Sequence, residues 1–150
     1  MSTPTTTTAV IRTGSCLCGG IKLTIQGEPI STNLCHCTSC QKGSGGIFTT
    51  LAVFKTEQVT FTESSPSLIS TYADKSPESG DIVYRKFCSR CGSPLSGTKG
   101  TKPEFVIIAA GIVDGDKNVF RPRLEFFCRT RVDWIKSVED ASVWDTLPGR

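Results

Sequence analysis

Residues 21–25, Ile-Lys-Leu-Thr-Ile, alternate apolar and polar side chains, the pattern of a strand with one buried face. The same period returns at residues 59–62 (VTFT). Denser β-branched and aromatic runs at 47–54 (IFTTLAVF) and 105–110 (FVIIAA) predict largely buried strands, and 68–72, 82–87 and 124–128 (LEFFC) complete the set. Turn clusters divide them: Gly43-Ser44-Gly45-Gly46, Ser64-Ser65-Pro66, Ser79-Gly80-Asp81 and Asp114-Gly115-Asp116. Helical periodicity is scarce. Residues 39–42 fit a single turn, and 137–144 fit a short C-terminal helix with Ser137 as N-cap and Asp140 reaching back. Many short strands split by Gly and Pro turns predict an all-β domain.

The leader at residues 1–13 is rich in threonine and has neither an apolar core nor more than one basic residue, Arg12. It is expected to be a disordered tail rather than a secretory or transit signal, with one domain over residues 14–150. No apolar stretch approaches the roughly 20 residues of a membrane helix. The net charge is +3 and no Lys/Arg run reaches four, so no nucleic-acid partner is indicated. Eight cysteines against one methionine are the compositional outlier. In a cytoplasmic chain, the expectation here, thiols stay reduced, and clustered cysteines point to metal or catalysis before disulfides.

The cysteines fall as Cys16-x-Cys18, Cys35-His36-Cys37-x-x-Cys40, Cys88-x-x-Cys91 and a separate Cys128. Cys88-Ser-Arg-Cys91-Gly92 has the form of a zinc knuckle, and it needs a second pair, from 16/18 or from the 35–40 cluster. Taking Cys16, Cys18, Cys88 and Cys91 closes a four-thiolate site. Cys35, Cys37 and Cys40 then remain as three ligands with one vacancy, the pattern of a catalytic metal. Cys128 closing that second site is the competing arrangement.

With these spacings the chain resembles the glutathione-dependent formaldehyde-activating enzyme (GFA) family, which includes the centromere protein V domain. The matching stretches are GSCLCGGIKLTI (14–25), CHCTSCQKGSG (35–45), FCSRCGSPL (87–95) and AAGIVD (109–114), with a looser match over 121–135. The resemblance implies a tent-like zinc-binding fold of several short antiparallel strands, with two zinc ions per chain. It assigns a structural zinc to Cys16, Cys18, Cys88 and Cys91 and a catalytic zinc to Cys35, Cys37 and Cys40. It further implies a carbon–sulfur lyase acting on a thiol adduct, with glutathione and formaldehyde as the type pair. Two other readings stand beside it: a zinc enzyme polarising a carbonyl of another small molecule, and a zinc-stapled binding module. The chain departs from the family's usual pattern at Gln41, where arginine is usual, and around Glu125, where many members carry histidine.

Individual residues carry narrower expectations. His36, between two ligands, is expected to brace its loop rather than act as a base. Glu125 is the candidate proton-transfer group, with an exposed carboxylate as the alternative, and alternation in a strand would set it on one face with Phe127. Cys128 reads as a small buried hydrophobe. Lys42, Arg129 and Arg131 are candidates for substrate carboxylates, or else solvated charges. Gly43 to Gly46 read either as a stretch where substrate backbone approaches closely or as a plain flexible turn, and Trp134 and Trp144 read as packing residues.

Overall fold

The computed structural model describes residues 9–149. In chain order its elements are β1 (Ile11–Ser15), β2 (Ile21–Gln26), β3 (Ser31–Cys35), the short helix α1 (Thr38–Ser44), β4 (Thr49–Lys55), β5 (Val59–Glu63) and β6 (Ile69–Asp74). Then come β7 (Val83–Cys88), β8 (Pro94–Lys99), β9 (Phe105–Ala109), β10 (Leu124–Phe126) and β11 (Ser142–Val143). They form a three-stranded sheet, β1-β2-β5, and an eight-stranded sheet, β11-β10-β3-β4-β9-β8-β7-β6. The all-β, mostly antiparallel architecture expected from the strand pattern is the one observed.

The two sheets meet through the alternating face of β2. Its Leu23 and Ile25 pack against Ala52 and Phe54 of β4 and Val106 and Ile108 of β9, with Val59 and Phe61 of β5 at the side. Burying each large side chain of this set stabilises the fold by about 1.5–3 kcal/mol. The opposite face of the large sheet lines a cavity. Paired residues of neighbouring strands share a face, so the register draws continuous rows across it. One row joins Leu124, Asn33, Leu51 and Ala109; another joins Val53, Ile107, Gly97, Arg85 and Tyr72. Strand twist curls this face, and α1 closes one end.

Three expectations change. Strand β1 starts at Ile11, inside the segment expected to be disordered, because its backbone pairs with β2 from Ile11↔Gln26 onward; residues 1–8 lie outside the described residues. The helix expected over 137–144 is replaced by β11, parallel to β10. Its backbone donors are used elsewhere: Ser142 N–H reaches Arg123 O at 2.9 Å and Trp144 N–H reaches Glu125 O at 2.9 Å. Asp140, at φ +64°, breaks any helical path, and the Ser137 hydroxyl is taken by Arg131. Strands β3 and β8 were not anticipated, since STNLC and PLSGTK carry few apolar residues.

Gly14 shows how closely β1 is held. A Cβ there would stand 2.3 Å from the Ile112 carbonyl oxygen, where β1 bridges to Val113. Gly14→Ala is expected to destabilise the domain by about 1–3 kcal/mol in urea unfolding, the usual range for overpacking. Gly111→Ala, with open space around it, should change stability by less than about 0.5 kcal/mol. Equal effects from the two would contradict this packing.

Candidate metal-binding active site

Two groups of cysteines converge, and they differ in what surrounds them. The first joins the sheets. Cys16 and Cys18 come from the β1–β2 connection, where Gly19 at φ +72° turns the chain and donates to Cys16 O at 2.9 Å. Cys88 ends β7, and the knuckle closes as Gly92 N–H donates to Cys88 O at 2.8 Å and Cys88 N–H to Ser93 O at 3.0 Å. The four sulfurs lie within 4.8 Å of one another, with Cys16–Cys18 at 3.5 Å and Cys18–Cys88 at 3.8 Å. A tetrahedron of roughly 2.3 Å zinc–sulfur bonds has edges of about 3.8 Å, so these residues fit such an ion. The Ser93 hydroxyl, 3.2 Å from Cys91 Sγ, together with backbone N–H groups, lowers the Cys91 thiol to about 5. Ile21, Leu68 and Leu95 pack around Cys16 and Cys88, while Cys18 lies on the exposed side of the group.

The second group is Cys35, Cys37 and Cys40, again with sulfurs within 4.8 Å of one another. Cys35 ends β3. Cys37 is the N-cap of α1, its sulfur accepting from Cys40 N–H at 3.3 Å, so the first turn of the helix holds two of the three thiols together. Hydrogen bonds from the Cys35 and Cys40 thiols, with the charge of Arg85 nearby, lower Cys37 to about 3, while Cys40 rises to about 11. A thiolate is thus available in this group, as metal ligation requires. All three cysteines line a cavity of about 400 Å³ over the curled sheet face, with Leu51, Ile107 and Phe126 among its walls. Cys128 is not in this group. It lies instead with His36 and Glu125.

Behind the second group is a buried ionic network. His36 and Glu125 side chains are both 0% exposed, and His36 Nε2 donates to Glu125 Oε1 at 2.7 Å. Arg131 Nη1 reaches the same oxygen at 3.1 Å, and Val138 N–H donates to Glu125 Oε2 at 3.2 Å. Burial alone would push the Glu125 carboxyl up, but these donors hold it below the usual carboxylate range. The backbone of His36 is fixed too: its N–H donates to Phe126 O at 3.0 Å, and Thr130 Oγ1 donates to its carbonyl at 2.9 Å.

His36 therefore braces the loop, as expected. Glu125 is neither exposed nor a lining residue of the cavity; its carboxylate faces His36 and Arg131 instead. The strand ends at Phe126, because Phe127 adopts φ +56°, and Phe126 and Phe127 both turn to the cavity. The alternation expected to set Glu125 beside Phe127 stops there. Cys128 is half-buried, and burial next to Glu125 pushes its thiol up. Arg131 is committed to Glu125 and Arg129 to Glu78. Lys42 is exposed. Gln41 ties α1 down by donating to Ile47 O at 3.2 Å. Trp134 and Trp144, expected to pack, are 71% and 39% exposed.

Two lining residues escaped the sequence reading. Arg85 of β7 approaches α1 closely enough that a Cβ on Gly43 would stand 3.5 Å from its Nη1, and its Nε binds Asp74 Oδ2 at 2.7 Å. Only the curl of the sheet brings β7 to α1, and no local motif signals it. Asn33 lies two residues before Cys35 on the same face of β3. Strand alternation would have found it had β3 been recognised.

Removing Glu125 should leave His36 and Arg131 without their shared acceptor. Glu125→Ala is expected to cost about 3–5 kcal/mol in denaturant unfolding, as for other broken buried pairs. Because the folded carboxyl is depressed, its contribution is present at neutral pH and is lost as pH falls through and below the carboxylate range. Glu125→Gln should accordingly flatten the acid limb of the stability curve. An unchanged acid limb would show that this carboxylate contributes nothing.

Comparison with known proteins agrees with this geometry. Residues 11–130 match the family described as glutathione-dependent formaldehyde-activating enzyme. A Halomonas elongata relative named for glutathione-dependent formaldehyde activation is 29% identical over 126 residues, covering 82% of this chain and 78% of its own. A similarly named Talaromyces marneffei protein is 26% identical, covering 66% and 61%. A Rhodobacter sphaeroides protein of known crystal structure shares the fold at 17% identity, with a TM-score of 0.53 over 69% of this chain and 89% of that one. The chain belongs to the glutathione-dependent formaldehyde-activating enzyme family.

Proposed function

We propose that the chain is a zinc-dependent carbon–sulfur lyase acting on the adduct of a thiol and an aldehyde, the formaldehyde–glutathione type being the reference pair. The observation that carries the proposal is the contrast between the two cysteine groups: four sulfurs that complete a tetrahedral set between the two sheets, and three sulfurs lining a cavity. Cys16, Cys18, Cys88 and Cys91 would hold one zinc and Cys35, Cys37 and Cys40 the other. Zinc held by Cys35, Cys37 and Cys40 would supply Lewis acidity toward a carbonyl or a thiol.

The chain's own residues do the rest. Adding the thiol across the aldehyde carbonyl forms one carbon–sulfur bond and moves the S–H proton to the carbonyl oxygen; the reverse breaks that bond and returns the proton. Arg85, placed beside Cys37 and Cys40, offsets the negative charge that accumulates where thiolates gather. Leu51, Phe126 and Phe127 exclude water from the sulfurs, and the His36–Glu125 pair holds Cys35 and Cys37 in their positions. A reducing compartment, the cytoplasm, belongs to this proposal, because cysteines that are to hold metal must stay reduced. No helix of the described residues is long and apolar enough to cross a membrane.

The test is the rate at which zinc-loaded protein accelerates exchange between formaldehyde, thiol and hemithioacetal, followed by NMR exchange spectroscopy. Acceleration by wild type and a loss of at least about a hundredfold in Cys40→Ser is the expected result, in the range for removal of a group essential to catalysis. Metal bound at all three cysteines with no acceleration for any thiol would sink the lyase reading. The mostly apolar cavity would then favour the alternative in which the site polarises a carbonyl of another small molecule.

A further inference from the structure

Three cations line the cavity, Arg85, Lys86 and Lys99, and they are not equivalent. Arg85 is already engaged: its Nε donates to Asp74 Oδ2 at 2.7 Å, and its charge stands beside Cys37 and Cys40. Lys86 is exposed at the rim, its strand position alternating with that of Arg85. Lys99 differs from both. It lies two residues beyond Gly97, the partner of Arg85 across β7 and β8, so it shares the cavity face with Arg85. It is half-buried, and its ammonium makes no hydrogen bond or ion pair with any of the described residues.

The acids of this face are spoken for. Asp74 stands in the same row as Lys99, on the far side of Val83. Its Oδ2 is taken by Arg85, and its Oδ1 accepts from the Ser76 N–H at 2.9 Å and the Ser76 hydroxyl at 2.6 Å. Glu78, which lines the cavity, is paired with Arg129. Between Arg85 and Lys99 the floor is bare backbone, since a Cβ on Gly97 would press on Val83 Cγ1 at 3.2 Å. A ligand can lie flat against the strand there. A partly desolvated ammonium without a counter-charge is unfavourable, and an anionic group of a ligand would remedy it. Glutathione carries two carboxylates at neutral pH. The γ-glutamyl one shares its carbon with an ammonium, which Lys99 repels; the glycine carboxylate stands alone and suits an isolated cation.

We infer that Lys99 is a specificity-determining residue of this cavity, its ammonium taking the glycine carboxylate of glutathione, or the same group of another thiol whose carboxylate has no ammonium beside it. The inference rests on the thiol-adduct reading above and adds which end of the thiol the cavity holds. The cations singled out in the sequence are not free for this part. Lys42 is exposed and outside the lining, Arg129 is paired with Glu78, and Arg131 is paired with Glu125.

The experiment measures equilibrium binding of glutathione and of its ethyl ester, esterified at the glycine carboxylate, by calorimetry. The zinc-loaded proteins are wild type, Lys99→Met, Lys99→Arg and Lys86→Met. Wild type should bind glutathione about tenfold or more tighter than the ester, the scale of one charge-assisted hydrogen bond. Lys99→Met should bind the two equally, by losing affinity for glutathione and keeping that for the ester. Lys99→Arg, which keeps the charge, should restore the preference, and Lys86→Met should retain it. Lys99→Met should unfold at the wild-type temperature, since no protein partner is lost and the apolar stem remains; should it fail to fold, Lys99→Gln carries the comparison. Equal binding of the two thiols by wild type, or a preference that survives in a folded Lys99→Met or Lys99→Gln protein, overturns the role of Lys99 while leaving the thiol site standing. A loss in Lys86→Met as large as that in Lys99→Met would assign the effect to overall charge and overturn it too. Binding of neither thiol overturns the inference together with the reading on which it rests.

Discussion

Four sulfurs from two different sheets have to meet at one point, and the remainder of the molecule is arranged around that requirement. Cys16 and Cys18 leave the three-stranded sheet; Cys88 and Cys91 leave the eight-stranded one. Bringing them within bonding distance of a common ion sets how the sheets face each other at that end, while the packing of Leu23 and Ile25 on Phe54 and Ile108 does so at the other. An ion bound there contributes its binding free energy directly to folding. A domain of modest apolar content, at 37% hydrophobic residues, gains most from such a staple.

With the sheets fixed, the outer face of the larger one is free to curl into a cavity, and the second cysteine group opens onto it. Its order depends on a different device. Parallel pairing of β10 with β3 sets Cys35 opposite Phe126 and Leu34 opposite Glu125. Since β3 ends at Cys35, the next residue, His36, drops behind the cavity into hydrogen-bonding contact with Glu125. Cys35 and Cys37 then flank a residue that points away from them. Alternation thus separates the chemistry, on the cavity side, from the support, on the buried side. Arg85 and Asp74 bring a third strand region, β6–β7, up to the same thiols.

Much of this was legible in the chain. Strands with clear alternation, such as β2 and β5, stand where the pattern placed them, and the spacing of the cysteines foretold both groups. What failed was local reading of segments whose structure is imposed from outside. STNLC forms β3 because β4 and β10 clasp it on both sides, in spite of its poor apolar content. The segment at 137–144 has helical capping signals, but β10 claims its backbone donors and Asp140 turns it away. Glu125 reads in the sequence as a proton-transfer candidate or an exposed carboxylate, and no local pattern signals its burial against His36. Asn33 and Arg85 were invisible for opposite reasons: the first sits in an unrecognised strand, the second reaches the site only through the curl of the sheet.

The central claim is that the two cysteine groups have separate jobs, one holding the sheets together and one serving the cavity. The most direct test is zinc bound per chain, measured by mass spectrometry on protein purified anaerobically without chelators, for wild type, Cys37→Ser and Cys91→Ser, with circular dichroism on each. The account predicts two zinc ions for wild type, one in a folded Cys37→Ser protein, and an unfolded or largely metal-free Cys91→Ser protein. A Cys37→Ser protein that unfolds, or a Cys91→Ser protein that stays folded with one ion, would contradict the division of labour between the groups.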